Sequence, residues 1–598
     1  MAERNSIDLA VVGNSTFGAL INEGARIVWC CLPRLDGDPV FSDLLDGGRP
    51  PEETASFDIL VKGYTRSEQS YDRNTAILRT RLYDDKGGCV EVTDFAPRFK
   101  MYGRMFKPIM LVRRLRAVAG SPAITIRLKP RFNYGADEPV ITYGSNHIRY
   151  VSQTQTLRLT TDAPLSYILD ETTFLLTEPV SLLLGPDESV SGATGDVARE
   201  FEEKTRDYWQ EWVRGLALPL DWQDAVIRAA ITLKLCVFEE TGAIVAAHTT
   251  SIPEAANTER NWDYRFCWLR DAFFVVRALN SLAAVKTMER YLGYLGNILD
   301  RTAGGHIQPV YGIALESALT ERQIHSLSGY RGMGPVRAGN QAYEHLQHDV
   351  YGNILLAASQ AFFDERLLNP PGVAEFERFE LVGERAFALH TECDAGMWEY
   401  RTRARVHTSS SLMCWAACDR LSRIAAKLGK ADRAAYWADK AKIIHKVIIE
   451  KAYDPVSGGF VESFGGTRYD AGVLLMGEVG FLHADDPRFI ATVDAIGKEL
   501  KRGNHLFRYV MADDFGEPEN AFNICTFWYI DALARIGRKD EAREMFESML
   551  AARNRLGLLS EDITVATGEH WGNYPQTYSL VGIINAATRL SDKWEDMV

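Results

Sequence analysis

The pattern of hydrophobic and polar residues changes from strand-like to helix-like about a third of the way along the chain. Within residues 123–130 it alternates, so that Ile124, Ile126 and Leu128 share one face and polar side chains occupy the other. Similar short runs, separated by Gly, Pro and Asp, fill the rest of this part. Such runs are typical of antiparallel strands with one face in water. We therefore predict an N-terminal antiparallel β-sandwich over residues 1–195.

Hydrophobic residues recur at helical spacing after residue 220. One such stripe comprises Leu421, Ile424, Ala425 and Leu428. Gly429 follows it as a predicted C-cap, and Asp432 is then the predicted N-cap of a second helix. A similar helix–glycine–helix unit is centred on Gly537. Paired helices joined by short glycine turns predict a domain built from helical hairpins.

The predicted fold class is therefore multidomain, β followed by α. Residues 196–220 are polar and favour a helix, so we predict a helical linker there. Residues 221–598 then have room for roughly a dozen helices of ordinary length. A ring of helical hairpins would place its connecting loops at one end, where a site can form.

Composition and charge narrow the possible partners. The 598 residues are 46% hydrophobic and 25% charged, as in an ordinary globular protein, and carry a net charge of −13. Because no Lys/Arg-rich run is present, we predict no nucleic-acid or membrane partner. No apolar stretch reaches the ~18 residues of a membrane helix, and the chain does not start with a secretory pattern. Together with an odd number of cysteines, nine, these features predict a cytoplasmic protein.

The motifs of several common enzyme classes are absent. The chain contains no GxxxxGK[ST] phosphate loop, no HExxH and no GxSxG. Cys414 and Cys418 lie one helical turn apart, and His345 and His348 lie three positions apart, but neither pair belongs to a metal-ligand pattern. We therefore predict no metal and no cofactor.

One segment of the helical part, RNWDYRFCWLRDA (residues 260–272), places charged residues among aromatic ones. Charges in such an apolar setting must be paired or hydrogen-bonded. One interpretation is an internal cluster of ion pairs that joins helices. The other is a sugar-binding surface, in which Asp and Arg bind hydroxyl groups while an aromatic ring stacks on the pyranose.

Two further segments supply candidate carboxylates. Glu399 follows Trp398, and contact with an indole desolvates a carboxyl and favours its neutral form, as a glycosidase acid requires. The alternative is a glutamate in the first turn of a helix. Glu561, 162 residues later, ends an apolar run and is either a partner for Glu399 or a surface carboxylate beside the capping residue Ser560. Two carboxylates facing one bond form the arrangement of a glycosidase.

At these segments the sequence resembles glycoside hydrolase family 15, which includes glucoamylases, glucodextranases and trehalases. Six blocks in order carry the resemblance, which covers nearly the whole chain. They are VVGNSTFGALINEGARIVWCCLPRLDGDPVF, RNWDYRFCWLRDA, GYRGMGPVRAGNQAYEHLQHDVYG, GMWEYRTRARVHTSSSLMCW, ICTFWYIDALARIGR and WGNYPQTYSLVGIINAA. The resemblance implies a β-sandwich, a helical linker and an (α/α)6 barrel.

The resemblance also implies roles for particular residues. Glu399, in the family's GxWE motif, would be the general acid, and Glu561, in its LxxE segment, would be the general base. Arg270 and Asp271 would bind the outer hydroxyls of the non-reducing glucose, and Trp398 or Trp262 would supply the aromatic ring at the mouth. The last substrate-binding residue implied is Arg508.

The expected activity is hydrolysis of α-glucosides from the non-reducing end with inversion at the anomeric carbon. Our first expectation is a glucoamylase-like glucan α-glucosidase. The alternatives are a trehalase or an α-1,6-glucosidase acting on isomaltose or dextran. A carbohydrate sensor without activity is the alternative outside enzymes, and the expected partner is in every case a small or oligomeric α-glucoside. The oligomeric state is not predicted.

Overall fold

A computed structural model describes residues 5–597, and its first part contains two large antiparallel sheets and one two-stranded sheet. Its strands are β1 (Ala10–Gly13), β2 (Gly18–Ile21), β3 (Ile27–Leu32), β4 (Asp38–Phe41), β5 (Ser56–Val61), β6 (Tyr64–Tyr71), β7 (Leu78–Asp84), β8 (Cys89–Phe95), β9 (Phe99–Met101), β10 (Arg104–Phe106), β11 (Leu111–Ala119), β12 (Ala123–Lys129), β13 (Val140–Tyr143), β14 (His147–Val151), β15 (Thr156–Thr161), β16 (Phe174–Leu175) and β17 (Val180–Pro186). One large sheet has the order β1-β2-β3-β5-β12-β16, with β4 beside β3, and the other has the order β13-β14-β15-β17-β11-β8-β7-β6. Strands β9 and β10 pair with each other.

The two sheets enclose one apolar core. Strand β12 alternates as the sequence predicts, with Ile124, Ile126 and Leu128 buried. They belong to the same buried cluster as Val90 and Val92 of β8, which lies in the other sheet. Each fully buried side chain of this kind stabilises the fold by roughly 1.5–3 kcal/mol. The predicted antiparallel β-sandwich is confirmed.

A long helix, α2 (Thr194–Arg214), follows the sandwich after the short helix α1 (Leu165–Leu169). It makes up most of the predicted linker. Glu202 of α2 is buried and forms ion pairs with Arg79 and Arg114 of the sandwich. The helix therefore lies against the sandwich.

The helical part forms two concentric rings of helices, an (α/α)6 barrel as the resemblance implies. The helices are α3 (Gln223–Cys236), α4 (Leu269–Ser281), α5 (Val285–Thr302), α6 (Asp349–Phe363), α7 (Val373–Leu389), α8 (Thr408–Lys427), α9 (Ala431–Ala452), α10 (Leu475–Val479), α11 (Pro487–Leu500), α12 (Asn523–Arg535), α13 (Lys539–Ala551) and α14 (Thr577–Leu590). Helices α4, α6, α8, α10, α12 and α14 each contact the next, and α14 contacts α4, which closes the inner ring. Within residues 5–597, no helix combines the length and apolarity needed to cross a membrane.

The turn between α8 and α9 differs from the prediction in one detail. Gly429 follows α8 with a φ of +72°, a conformation that glycine adopts without strain. Helix α9 begins at Ala431 with Lys430 as its N-cap, so Asp432 lies in the first turn instead of capping the helix. The carboxylate of Asp432 is favourable there because the first turn carries the positive end of the helix dipole. Asp is enriched at the N-cap and in the first turn alike.

Short strands pair in the loops of the barrel. They are β18 (Val237–Phe238), β19 (Ala243–Ile244), β20 (Cys267–Trp268), β21 (Val310–Tyr311), β22 (Arg322–Ile324), β23 (Val336–Ala338), β24 (Tyr453–Asp454), β25 (Gly459–Phe460), β26 (Lys501–Arg502), β27 (His505–Leu506), β28 (Ala521–Phe522), β29 (Asp562–Ile563) and β30 (His570–Trp571). Strands β20 and β28 end where the inner helices α4 and α12 begin. They therefore anchor loops at the end of the barrel where the inner helices start.

The charged and aromatic segment 260–272 reaches the sandwich before it enters α4. Asp263 and Arg265 form a fully buried ion pair of 2.8 Å. The Arg265 guanidinium also donates to the Gly37 carbonyl (2.8 Å) and to the Tyr134 hydroxyl (2.7 Å), which both belong to the sandwich. The internal ion-pair interpretation therefore holds for these two residues, which connect the two domains.

Replacing Arg265 by methionine is expected to lower the free energy of unfolding by about 3–5 kcal/mol, because it leaves Asp263 charged and unpaired in the interior. Urea-induced unfolding followed by tryptophan fluorescence measures the change. The double variant Asp263→Asn/Arg265→Met removes both charges and should recover part of the loss. A single variant as stable as the wild type would show that the pair contributes nothing.

Candidate active site

A pocket lies at the end of the barrel where the inner helices begin. Its free space, counted together with open solvent at the mouth, is about 860 Å³. Loops preceding α4, α6, α8, α12 and α14 line it. All seven site residues predicted from the sequence line this one pocket, namely Trp262, Arg270, Asp271, Trp398, Glu399, Arg508 and Glu561.

Glu399 lies in a tight turn that directs its carboxyl into the pocket. Its φ is +62°, a left-handed conformation that is uncommon for a residue with a side chain and recurs at functional sites. Gly396 begins the turn with a φ of +66°, and a Cβ there would lie 2.8 Å from the His407 ring. Only glycine therefore fits the turn that presents Glu399.

The indole that contacts Glu399 is that of Trp268, not that of its neighbour Trp398. Trp268 Nε1 donates a hydrogen bond of 2.6 Å to Glu399 Oε1, and Arg270 Nη2 is 3.5 Å from the same oxygen. Trp398 Nε1 instead donates to Asp470 Oδ2 (2.6 Å). The sequence predicted an indole beside Glu399 but named Trp398, which is wrong. The Trp398 side chain points to another wall of the pocket, although Trp398 precedes Glu399 in the chain.

Glu561 lies directly before strand β29 on the wall formed by the last loop, and it is buried. The Tyr264 hydroxyl donates to Oε1 (2.7 Å), and the Asn573 backbone N–H donates to Oε2 (3.4 Å). Gly572 leaves space for the carboxyl, since a Cβ there would lie 2.6 Å from Glu561 Oε2. Burial, and next to it the charge of Glu254, raise the pKa of Glu561 to about 8.

A pair of aromatic rings connects the two candidate catalytic carboxyls. The rings of Tyr264 and Trp268 meet edge to face with centroids 5.3 Å apart. The Tyr264 hydroxyl binds Glu561, and the Trp268 indole N–H binds Glu399. Both carboxyls therefore belong to one site and are held by rigid side chains of a single segment.

Arg270 and Asp271 lie at the start of α4, in the lining of the same pocket. Arg270 Nη1 donates to Gln347 Oε1 (3.0 Å) and lies 3.6 Å from Asp349. Burial raises the pKa of Asp271 to about 7, against the opposing charge of Arg270. Asp271 Oδ2 is buried, lies 3.7 Å from Arg270 Nε and has no hydrogen-bond partner among the described residues.

The opposite wall of the pocket is aromatic and charged. The Trp262 ring packs edge to face against Phe515 at 5.3 Å between centroids, and the Arg401 guanidinium lies 4.4 Å from the Trp262 ring centre. Trp262 Nε1 donates to Glu254 Oε1 (3.1 Å), and Arg508 Nη2 donates to Glu254 Oε2 (2.6 Å). Aromatic faces with nearby hydrogen-bonding groups are suited to a pyranose ring.

Sequence reasoning missed several residues of this site. Tyr264 and Trp268 lie within the segment it selected, but their hydrogen bonds to the two glutamates depend on contacts more than 100 residues apart in the chain. Glu254, in SIPEAA, lacks the charged and aromatic neighbours that mark the other segments, so no local signal identified it. In segment 260–272 the ion-pair interpretation holds for Asp263 and Arg265, whereas Trp262 and Tyr264 line the pocket.

The two histidines considered as metal ligands differ in their surroundings. His345 lines the pocket, whereas His348 precedes α6 and its backbone N–H donates to Asp394. In the part of the chain that the structure describes, no three His, Cys, Asp or Glu side chains form a group suited to a metal ion.

Comparisons with known proteins assign both parts of the chain. Residues 221–588 match the model of glycosyl hydrolases family 15, and residues 3–167 match a trehalase-like N-terminal domain. A trehalase from Thermoplasma volcanium is 32% identical over 97% of this chain and 93% of its own length. A trehalase from Mycolicibacterium smegmatis is 30% identical over 96% of this chain and 89% of its own length.

Among solved structures, a bacterial glucoamylase complexed with acarbose matches with a TM-score of 0.71 and 13% identity, over 98% of this chain and 94% of that one. At this identity the match shows the fold alone, a sandwich joined to a barrel. The family model, by contrast, covers more than half of the chain and includes every pocket residue named above. The protein is therefore a glycoside hydrolase and belongs to glycosyl hydrolases family 15.

Proposed function

We propose that the protein hydrolyses α,α-trehalose to glucose with inversion at one anomeric carbon. The observation that carries the reaction type is the pair of glutamates held in one pocket by the Tyr264–Trp268 ring pair. The observation that favours trehalose is the similarity to relatives named trehalase over nearly their whole length. Our first expectation, a glucan α-glucosidase, has weaker support because the glucoamylase match rests on fold alone.

The mechanism is a single displacement. Glu399, protonated, donates its proton to the glycosidic oxygen as the bond from that oxygen to the anomeric carbon breaks. Water attacks the same carbon from the opposite face and gives its proton to ionised Glu561. The two carboxyl groups of an inverting enzyme are about 6.5–9.5 Å apart, which leaves room for this water. Arg270 and Asp271 bind the outer hydroxyls of the glucose that is attacked.

The wall formed by Trp262, Arg508 and Trp398 is the surface that we propose for the remaining sugar. Trp262 offers an aromatic face, and the polar groups beside it can bind hydroxyl groups. Phe515, which is 39% exposed, packs on Trp262 and extends this wall toward the mouth. A second glucose would therefore contact the aromatic face of Trp262 and form hydrogen bonds with the polar groups beside it.

An activity panel tests the substrate. Trehalose, maltose, isomaltose, maltotriose and soluble starch are compared by kcat/KM, and trehalose is expected to exceed each of the others by roughly tenfold or more. Preference for maltotriose or starch would support the glucan α-glucosidase, and preference for isomaltose would support the α-1,6-glucosidase. Glucose binding without turnover of any of them would support a sensor, which has no need for two apposed glutamates.

Replacing Tyr264 by phenylalanine is expected to shift the acid side of the pH profile to higher pH. The Tyr264 hydrogen bond stabilises ionised Glu561 and so lowers its pKa against the effect of burial. Because the base acts in its ionised form, activity falls as the pH decreases through this pKa, and loss of the bond moves that fall upward. Initial rates of trehalose hydrolysis measured against pH test this. An unchanged acid side would show that Tyr264 does not control the base.

The nine cysteines are free thiols, and eight of them are buried. Unpaired buried thiols are typical of proteins in a reducing compartment. They support our proposal of a cytoplasmic location.

A further inference from the structure

Arg508 lines the pocket together with Glu254 and Glu561. Its charge acts on Glu561, on the adjacent Asp562 and on Asp470. Among the described residues, the carboxylate within 4.0 Å of its guanidinium is that of Glu254, at 2.6 Å. Arg508 and Glu254 are both buried, so their attraction is little weakened by water.

Glu254 is held in place by several independent contacts. One of its carboxyl oxygens accepts from Trp262 Nε1 and the other from Arg508 Nη2. Its backbone carbonyl accepts from Asn520 Nδ2 (2.8 Å), and its N–H donates to the Arg260 carbonyl (2.9 Å). The preceding carbonyl, of Pro253, accepts from the N–H of Gly572, the residue packed against Glu561. The position of Glu254 relative to the base is therefore set by the backbone.

We propose that Glu254 is a positioning residue for the general base: by pairing with Arg508, it keeps the guanidinium off Glu561 and leaves that carboxylate free to bind and deprotonate water. The inference rests on the proposed role of Glu561. An ionised carboxylate that pairs directly with arginine is a weaker proton acceptor, because the pair stabilises its charged form. Without Glu254, the Arg508 charge would act on Glu561, Asp562 and Asp470 with no paired carboxylate to oppose it.

The charges around Glu561 determine the direction in which the acid side of the pH profile should move in each variant. Glu254 and Asp562 are acidic, Arg508 is basic, and Tyr264 donates a hydrogen bond. Replacing Glu254 by glutamine removes one negative charge and releases Arg508 toward Glu561. Both effects favour the ionised form of Glu561, so the acid side of the kcat/KM profile is expected to move to lower pH by about one unit or more. We also expect kcat to fall, since the base becomes a weaker proton acceptor.

Three further variants separate positioning from a merely structural role. Glu254→Asp keeps the charge and should keep the wild-type acid side even if kcat falls. Arg508→Gln should move the acid side to higher pH, because it leaves the charge of Glu254 unopposed. The double variant Glu254→Gln/Arg508→Gln should lie between the two single variants. Asp94→Asn is the control for loss of a buried pair, since it breaks the Arg113–Asp94 pair inside the sandwich and should leave the acid side unchanged.

The test is trehalose hydrolysis against pH for each variant, with folding checked by circular dichroism. An acid side that moves down in Glu254→Gln and up in Arg508→Gln supports the proposal. If Glu561→Gln is inactive but Glu254→Gln keeps the wild-type acid side, the positioning role is wrong while the base assignment stands. If Glu561→Gln keeps full turnover, the base assignment itself fails and this inference with it.

Discussion

Replacing Glu399 by glutamine is expected to reduce kcat for trehalose by roughly 10²–10⁴. Glutamine has nearly the same shape and its amide oxygen can still accept the Trp268 indole N–H, so the fold and KM should change little. It cannot, however, supply a proton to the glycosidic oxygen, and glucose is a poor leaving group without one. Steady-state kinetics on purified wild type and variant measure the loss.

An aryl α-glucoside provides the control for Glu399. A nitrophenolate leaves without protonation, so its release should be much less affected by Glu399→Gln than trehalose hydrolysis is. Equal losses on both substrates would point to damaged binding instead of a missing acid. Normal trehalose turnover by this variant would show that Glu399 is not the general acid.

Removal of the Glu561 carboxylate is expected to reduce kcat by a similar factor, roughly 10²–10⁴, for a different reason. In Glu561→Gln the water lacks a proton acceptor, although the Tyr264 contact and the space beside Gly572 are retained. The loss should affect trehalose and the aryl glucoside alike, because both need the same attack by water. This contrast with Glu399→Gln assigns acid and base separately.

Azide distinguishes a missing base from a collapsed site. The smaller variant Glu561→Ala leaves room for this anion, which attacks carbon without first losing a proton. Added azide is expected to restore turnover of the aryl glucoside and to produce β-glucosyl azide. Glu399→Gln serves as the matched control and should show no such rescue. Failure of azide to restore any turnover in Glu561→Ala would speak against Glu561 as the base.

Much of the fold could be predicted because its pattern is local. The alternation of Ile124, Ile126 and Leu128 identifies a strand with one buried face, and the stripe ending before Gly429 identifies a helix and its end. Which helices form the inner ring could not be predicted, since α14 closes the ring against α4 across some 300 residues of chain. The error at Asp432 has a local origin, because the cap and the first turn of a helix favour similar residues.

The site was predictable only where chemistry and local pattern coincide. Glu399 and Glu561 stand in distinctive segments, and the resemblance to a known family added their roles. The choice of Trp268 over Trp398 as the indole beside Glu399 depends on a turn with positive φ, which local sequence does not specify. Glu254 acquires its place only through Arg508 and Trp262, which belong to other loops.

The anomeric form of the first glucose released tests the central claim most directly. In α,α-trehalose both anomeric carbons are α, and inversion at the attacked one produces β-glucose while the leaving glucose stays α. Proton NMR recorded within the first minutes of hydrolysis, before the anomers interconvert, is therefore expected to show α- and β-glucose in equal amounts. Release of α-glucose alone would mean retention, and would contradict a single displacement between Glu399 and Glu561.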